Sequence, residues 1–195
     1  MARILVLYGT TDGHTLKVAT ALGDTLRAQV ADTDVVNAAI NPPRADDYDA
    51  VAVAASIHAG GFQTSVHRWV QENATALNER PTAFVSVCLA VLQADPKVQG
   101  QVAETVERFV KTTGWKPNMR KAVAGALLYR NYNWIKRWTM KRIVAKAGGD
   151  TDTSRNYEYT DWNDLRAFAA KFGGLVRNSV ARKRSATEGR REQVA

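Results

Sequence analysis

The chain has 195 residues, 45% of them hydrophobic and 24% charged, enough for one domain with a sizeable core and one insertion. Its net charge of +8 points to an anionic partner: nucleic acid, an acidic membrane surface or an anionic substrate. The single cysteine, Cys88, rules out an internal disulfide and a cysteine-rich metal site, and it suits a reducing compartment. No apolar run approaches the roughly 18 residues of a membrane-spanning helix. An apolar strand starting within three residues of Met1 leaves no room for a signal peptide. The expected location is therefore cytoplasmic, with any membrane contact peripheral.

The first element opens on a binding motif. Ile4–Tyr8 is apolar without a break and stops at Gly9-Thr10-Thr11-Asp12-Gly13-His14-Thr15, where the helical pattern Leu16, Ala19, Leu22, Leu26, Val30 begins. A buried strand ending in small and hydroxylated residues that feed a helix N-terminus is a place to hold a phosphate, since free N–H groups, hydroxyls and the positive end of the helix dipole converge there. No Gly-Lys-Ser/Thr follows, so the turn is not a P-loop, and Gly9 and Gly13 do not make the dinucleotide fingerprint. The hydroxyls of Thr10, Thr11 and Thr15 suit the several oxygens of a terminal phosphate monoester. The competing reading is a plain helix cap by Asp12 or Thr11. On the phosphate reading the Asp12 carboxylate must turn away from the anion.

Further strand-like runs are Asp34–Asn37, Ala50–Ser56, Thr82–Cys88 and Ala122–Leu128, after a first strand at Arg3–Tyr8. Between and after them lie helical patterns at Phe62–Leu77, Val98–Val110 and Trp162–Val176, each with apolar residues at the 3–4 spacing of one face. Strands alternating with helices predict an α/β fold with a parallel, doubly wound sheet. Five short strands favour a flavodoxin-like three-layer sandwich of order 2-1-3-4-5, with ligand at the carboxyl ends of the strands. Two loops fall at that end. In Ser56-Ile57-His58-Ala59-Gly60-Gly61 the small residues let a flat ring lie against backbone. Here His58 is a ring neighbour or proton source on one reading and a solvent-exposed loop histidine on the other. Ser86-Val87-Cys88-Leu89-Ala90 offers backbone donors to a heterocycle's edge, with Cys88 read as a packing residue.

Two segments lie outside the alternation. The first is a helix-compatible insertion at about 130–150, following the fifth strand. Its basic residues Arg130, Lys136, Arg137, Lys141, Arg142 and Lys146 have no acidic residue among them. Trp134, Ile135 and Trp138 share one side of its helical wheel, while Met140, Ile143, Val144 and Ala147 share another. Tryptophan with Lys/Arg suits an anionic membrane interface. The plain alternative is a surface helix anchored to the sheet by its tryptophans. The second segment, 179–195, reads as a basic, structureless tail beyond a single domain at 1–178. It has no interleaved aromatics and no nucleic-acid module, so lipid attraction or solubility is the expected role and no nucleic-acid partner is expected.

The turn Thr10-Thr11-Asp12-Gly13-His14-Thr15 resembles the FMN-phosphate loop of flavodoxins. More specifically, the chain is similar to the flavodoxin-type, quinone-dependent protoporphyrinogen oxidases of bacterial haem synthesis. The matching stretches are Ala55-Ser56-Ile57, Phe84-Val85-Ser86-Val87, Ala124-Gly125-Ala126-Leu127 with Tyr129, Gly148-Gly149-Asp150-Thr151-Asp152-Thr153, and Tyr159-Thr160-Asp161-Trp162. The resemblance implies one FMN, with its phosphate in the Thr10–Thr15 turn and its isoalloxazine between the Ser56–Gly61 and Ser86–Val91 loops. It also implies protoporphyrinogen IX as electron donor, menaquinone or ubiquinone as acceptor, and peripheral membrane association; a homo-oligomer is compatible with it. The family tends to carry an aromatic and a basic residue near positions 58 and 59, where this chain has His58 and Ala59, which leaves Phe62 as the substitute for ring stacking. No catalytic base is assigned, because water can take the pyrrole proton. The alternatives are a flavodoxin-type electron carrier, which the positive charge disfavours, and an NAD(P)H:quinone reductase of the same fold.

Overall fold

The computed structural model describes residues 2–131, 134, 138, 141, 142, 144, 145 and 149–192. Five parallel strands form one sheet in the order β2-β1-β3-β4-β5: β1 Ala2–Gly9, β2 Ala31–Asn37, β3 Ala50–Ser56, β4 Thr82–Val87 and β5 Met119–Val123. The inner strands β1, β3 and β4 read as nearly unbroken apolar runs because both faces are covered and alternate side chains feed separate cores. Ile4, Val6, Ala52, Ala54 and Val85 pack on one face with Val18, Leu22 and Leu26 of α1 (His14–Gln29), and with Leu165 and Phe172 of α5 (Trp162–Glu192). Leu5, Leu7, Val51, Val53 and Phe84 pack on the other with Val66 and Trp69 of α2 (Thr64–Glu72), Leu77 of α3 (Ala74–Asn78) and Phe109 of α4 (Pro96–Thr113).

The structure follows the expected class and strand order, and it differs from the predicted elements in three places. The Phe62–Leu77 pattern is two helices that meet at Asn73, whose backbone departs from helical angles (φ −106°, ψ 9°) and whose side chain bonds two backbone groups: its Oδ1 accepts from the Ala45 N–H at 2.9 Å and its Nδ2 donates to the Trp69 carbonyl at 2.9 Å. The run Ala122–Leu128 is not one strand. β5 ends at Val123, the chain bends at Ala124-Gly125, and β6 (Ala126–Leu127) pairs antiparallel with β7 (Tyr157–Glu158) in a second small sheet. Two bonds hold the bend, the Thr160 hydroxyl donating to the Ala124 carbonyl at 2.7 Å and the Tyr159 N–H to the Gly125 carbonyl at 3.1 Å.

The third difference is the tail. α5 continues to Glu192, so the segment expected to be structureless from 179 is helical over its described residues. No proline interrupts it, and Arg, Ala and Lys propagate a helix that core packing through Val176 has already nucleated.

Parallel register brings the functional loops to one level. Gly9 pairs with Ala55, Ser56 with Val87, and Val87 with Val123. The turns after β1, β3, β4 and β5 therefore open side by side, at the crevice where the chain has wound both ways from β1.

Candidate functional site

The cleft at that crevice is lined by Thr10, Asp12, His14, Thr15, Ser56, Ile57, His58, Ala59, Val87, Cys88, Leu89, Gly125 and Ala126. It thus unites the predicted phosphate turn with both predicted ring-side loops.

The phosphate end is built from the backbone outward. Gly13 is the N-cap of α1 at φ 92° and has no side chain with which to cap the helix, and the Thr11 hydroxyl accepts from Gln63 instead. A helix N-terminus left without a capping side chain directs its first N–H groups and the positive end of its dipole at whatever fills the cleft. The Thr10 hydroxyl accepts from the Gly13 N–H at 2.9 Å, which folds the turn back on itself, and Thr15 is buried. Gly9 is needed for clearance: a Cβ there would lie 2.3 Å from Cγ2 of Val66 and 2.9 Å from Oε1 of Gln63.

Gln63 ties the phosphate turn to the β3 loop. Its Nε2 donates to the Thr11 hydroxyl at 3.1 Å and to the Ser56 hydroxyl at 2.6 Å, while its buried Oε1 has no partner among the described residues. It sits two residues beyond the small-residue loop, and nothing local in the sequence marks it.

His14 is buried at the first turn of α1. Its Nε2 lies 2.8 Å from the Thr160 hydroxyl, and its Nδ1, 3.7 Å from Oε2 of Glu158, makes no hydrogen bond among the described residues. Burial lowers its pKa from 6.5, against a smaller upward pull from Glu158 and a further lowering by Lys17. Glu158 also accepts from Nζ of Lys17 at 2.9 Å and from Nε1 of Trp162 at 3.0 Å. The late residues Glu158, Thr160 and Trp162 thus support the opening turn.

The ring side has a sharp turn at its rim. His58 and Gly61 exchange backbone hydrogen bonds of 2.9 and 3.0 Å across Ala59 and Gly60, both at positive φ (48° and 73°). Two positive φ values between bonded ends are the signature of a type I′ turn. Nη2 of Arg108 donates to the Gly60 carbonyl at 2.6 Å and anchors the turn to α4. Alanine in the left-handed region costs roughly 1–2 kcal/mol, and asparagine tolerates it better. Ala59→Asn is therefore expected to stabilise the flavin-free protein by about 0.5–1 kcal/mol, read as a higher urea midpoint at unchanged slope.

Several predicted residues stand elsewhere. Ser86 is buried in β4 with its hydroxyl on the Lys121 carbonyl, and the Ala90 N–H is taken by the Cys88 sulfur at 3.4 Å. Thr11, Gly13 and Gly60 shape the turns without lining the cleft. Burial raises the Cys88 thiol pKa, in keeping with a packing residue. Phe62 is not a stacking substitute: its ring packs 5.2 Å from Phe84 and 4.8 Å from Phe109 in the core. No Phe, Tyr or Trp is among the described residues lining the cleft.

The exposed tryptophans belong to the insertion. Its described residues Trp134, Trp138, Lys141, Arg142, Val144 and Ala145 have helical backbone; Lys136 and Arg137 lie outside the described residues. Val144 is buried in a small cluster with Leu127 and Tyr129, against which cleft-lining Leu89 packs. Trp134 and Trp138 are 79% and 56% exposed, so they do not anchor the segment to the sheet. The Arg142 guanidinium lies over the Trp138 ring, 4.3 Å from its centre. The insertion is closed at its base, since Tyr129 donates to the Asp150 carbonyl at 2.9 Å and the Arg130 N–H to Oδ1 of Asn156 at 3.0 Å.

A helix N-terminus with glycine at its N-cap, at the carboxyl ends of β1 and β3 in a sheet of order 2-1-3-4-5, defines a protein of the flavodoxin class. Comparison with known proteins agrees: the family model for the flavodoxin domain matches residues 5–154. Protoporphyrinogen IX dehydrogenase (quinone) of Escherichia coli K12 is 33% identical over 175 residues, covering 89% of this chain and 96% of that protein. The protein of that name from Leishmania major is 33% identical over 179 residues, covering 89% of this chain and 75% of its own. This chain belongs to the flavodoxin-domain family of quinone-dependent protoporphyrinogen IX dehydrogenases. Among solved structures, flavodoxin 1 of Bacillus cereus shares the fold at 13% identity and a TM-score of 0.54, over 88% of this chain and 97% of that one.

Proposed function

We propose that this chain holds one FMN, its phosphate in the Thr10–Thr15 turn, and oxidises protoporphyrinogen IX to protoporphyrin IX with electrons passed to a membrane quinone in haem synthesis. The observation that carries this reading is the N-terminus of α1, with glycine at its N-cap, opening into a cleft walled by the β3 and β4 loops in a chain of this family. The donor set suits the group: hydroxyls and backbone N–H groups face the phosphate end, while Ile57, Ala59, Val87 and Leu89 offer low walls to a flat ring.

When bound, the flavin supplies two-electron chemistry, and three rounds remove six electrons and six protons from the porphyrinogen as three quinones become quinols. The chain's own residues hold and orient. Thr10, Thr15 and the first turn of α1 fix the phosphate. The turn stapled by Arg108 sets His58 and Ala59 at the rim, and Gln63 keeps the two loops in register. Arg130, Lys141 and Arg142, with Lys136 and Arg137 outside the described residues, supply cations for the two propionates of the tetrapyrrole, and Trp134 and Trp138 supply apolar faces.

The same face is the membrane side. No helix among the described residues is long and apolar enough to cross a membrane, and exposed tryptophans beside cations suit the headgroup region. The helical tail is placed otherwise. Arg182 and Lys183 share a groove with Asn78, Pro81 and Asn118, beside the amino ends of β4 and β5 and so at the end of the sheet away from the cleft. A quinone reached from the lipid therefore meets the insertion and not the tail, on a protein that is cytoplasmic apart from that contact.

Anaerobic titration of flavin-loaded protein with protoporphyrinogen is expected to bleach the flavin absorption, and added quinone to restore it. Bleaching by NADPH alone identifies an NAD(P)H:quinone reductase instead. Rapid reduction by a flavodoxin reductase without porphyrinogen turnover identifies an electron carrier. Loaded protein that turns over no porphyrinogen with any quinone overturns the proposal.

A further inference from the structure

The histidine at the first turn of α1 is held in a way that phosphate binding alone does not require. Thr160 has one hydroxyl hydrogen, and it goes to the Ala124 carbonyl at 2.7 Å. Toward His14 the same oxygen can only accept, so the hydrogen at the 2.8 Å contact sits on Nε2 of the imidazole. In the neutral ring Nδ1 is then a lone pair, buried, without a hydrogen bond and 3.7 Å from a carboxylate oxygen of Glu158. Two acceptors facing each other make an unfavourable arrangement that one proton converts into an ion pair.

We propose that binding of the FMN phosphate loads a proton onto His14, so that the cofactor is held by an imidazolium clamped between Thr160 and Glu158. The inference rests on the FMN reading above and adds an ionisable group to it. Without ligand, burial outweighs Glu158 and keeps the ring neutral at pH 7. A phosphate at the N-terminus of α1 brings up to two negative charges to the turn that carries His14, and charge of that sign favours the protonated ring. The groups that face the ring are Lys17 on its own helix, which opposes protonation, and Glu158 from β7, which favours it. Asp12 lies two residues back in the turn, and Asp161 follows Thr160 at the start of α5. The clamp has a structural consequence, because Thr160 and Glu158 hold the bend at Ala124 and the strand paired with Ala126, one wall of the cleft.

The sign follows from linkage. The ring's pKa lies below 6.5 in the free protein and above it in the complex, so the complex carries more protons across that window. FMN affinity then rises as pH falls through the bound-state value. Phosphate monoesters are fully dianionic above about pH 7, so a change in that range does not come from the ligand. Calorimetric titration of the flavin-free full chain with FMN at pH 7.2, in Tris and in HEPES, counts the protons exchanged. The expected result is uptake approaching one proton per FMN and a dissociation constant that weakens about 5- to 10-fold per pH unit above pH 7.5. Riboflavin, which lacks the phosphate, should take up none. His14→Gln keeps a donor for Thr160 but cannot ionise, and should bind FMN with no uptake and a flat pH dependence. Should that variant fold poorly, the wild type decides by itself. Its His14 ring nitrogens, observed by NMR, should be neutral without FMN and doubly protonated with it. FMN binding without proton uptake overturns this inference and leaves the flavin reading intact. Failure of the wild type to bind FMN overturns the flavin reading itself.

Discussion

Replacing Thr10, Thr11 and Thr15 together by alanine is expected to yield a folded protein that no longer retains flavin. The turn supplies the phosphate with hydroxyls from a site closed by Gly9 below and Gln63 at the side. Each buried, charged oxygen left without a donor costs about 1–3 kcal/mol. Taking about 4 kcal/mol for the set, FMN affinity falls about a thousandfold. The backbone survives because the strand and helix on either side of the turn are packed in the core: Val6 and Leu7 before it, Val18 and Leu22 after it. The bond from Gly13 to Thr10 is lost, but the glycine keeps its left-handed φ without it. The measurement is quenching of FMN fluorescence on titration with protein, beside a thermal melt of the flavin-free chain. Riboflavin affinity should change far less than FMN affinity. An unaltered FMN affinity would place the phosphate elsewhere.

What sequence could show depended on how local the physics is. Ile4–Tyr8 declares itself because a strand covered on both faces has no polar alternation to hide it. The turn after it is legible because glycine and threonine stand exactly where one strand ends and one helix begins. Ala122–Leu128 misleads for the converse reason. Its apolar run is continuous, but the Ala124-Gly125 bend is imposed from outside by Thr160 and Tyr159, more than thirty residues on. Gln63 and His14 are likewise defined by partners distant in sequence. Nothing near His14 says that its ring will find Thr160, 146 positions away. The tail shows a different limit. Its charge reads as disorder, yet charged and small residues are also good helix formers once a packed helix feeds into them. The two tryptophans of the insertion were legible as residue types, while their exposure was not, since their helical wheel offers two apolar sides and only the fold shows that the Val144 side is the buried one.

That choice of sides leads to the second large effect. Deleting residues 132–146 and closing the gap with a short Gly-Ser linker is expected to leave FMN bound while porphyrinogen oxidation falls at least a hundredfold. The gap can be closed because the base of the insertion is already tied, by Tyr129 to the Asp150 carbonyl and by Arg130 to Asn156. The deletion removes Val144 from the cluster with Leu127 and Tyr129, at a stability cost of about 1–3 kcal/mol for one buried aliphatic side chain. The bonds that support the phosphate turn, from His14 and Lys17 to Thr160 and Glu158 and from Gln63 to Thr11, all lie outside the deleted segment. Activity should fall because the described cleft has no large aromatic side chain of its own to face a tetrapyrrole, and the exposed rings of Trp134 and Trp138 are lost. A gentler variant separates substrate contact from lipid contact. Trp134→Ser with Trp138→Ser removes mostly exposed surface and the contact of Arg142 with Trp138, so the melting temperature should fall by only a few degrees. If the rings serve the tetrapyrrole, the double variant loses activity with a water-soluble quinone as well as with quinone in vesicles. If they serve the bilayer, only the vesicle assay and sedimentation with anionic vesicles decline. Full activity of the deletion in both assays would reduce the insertion to packing and return the choice of substrate to the His58–Gly61 rim.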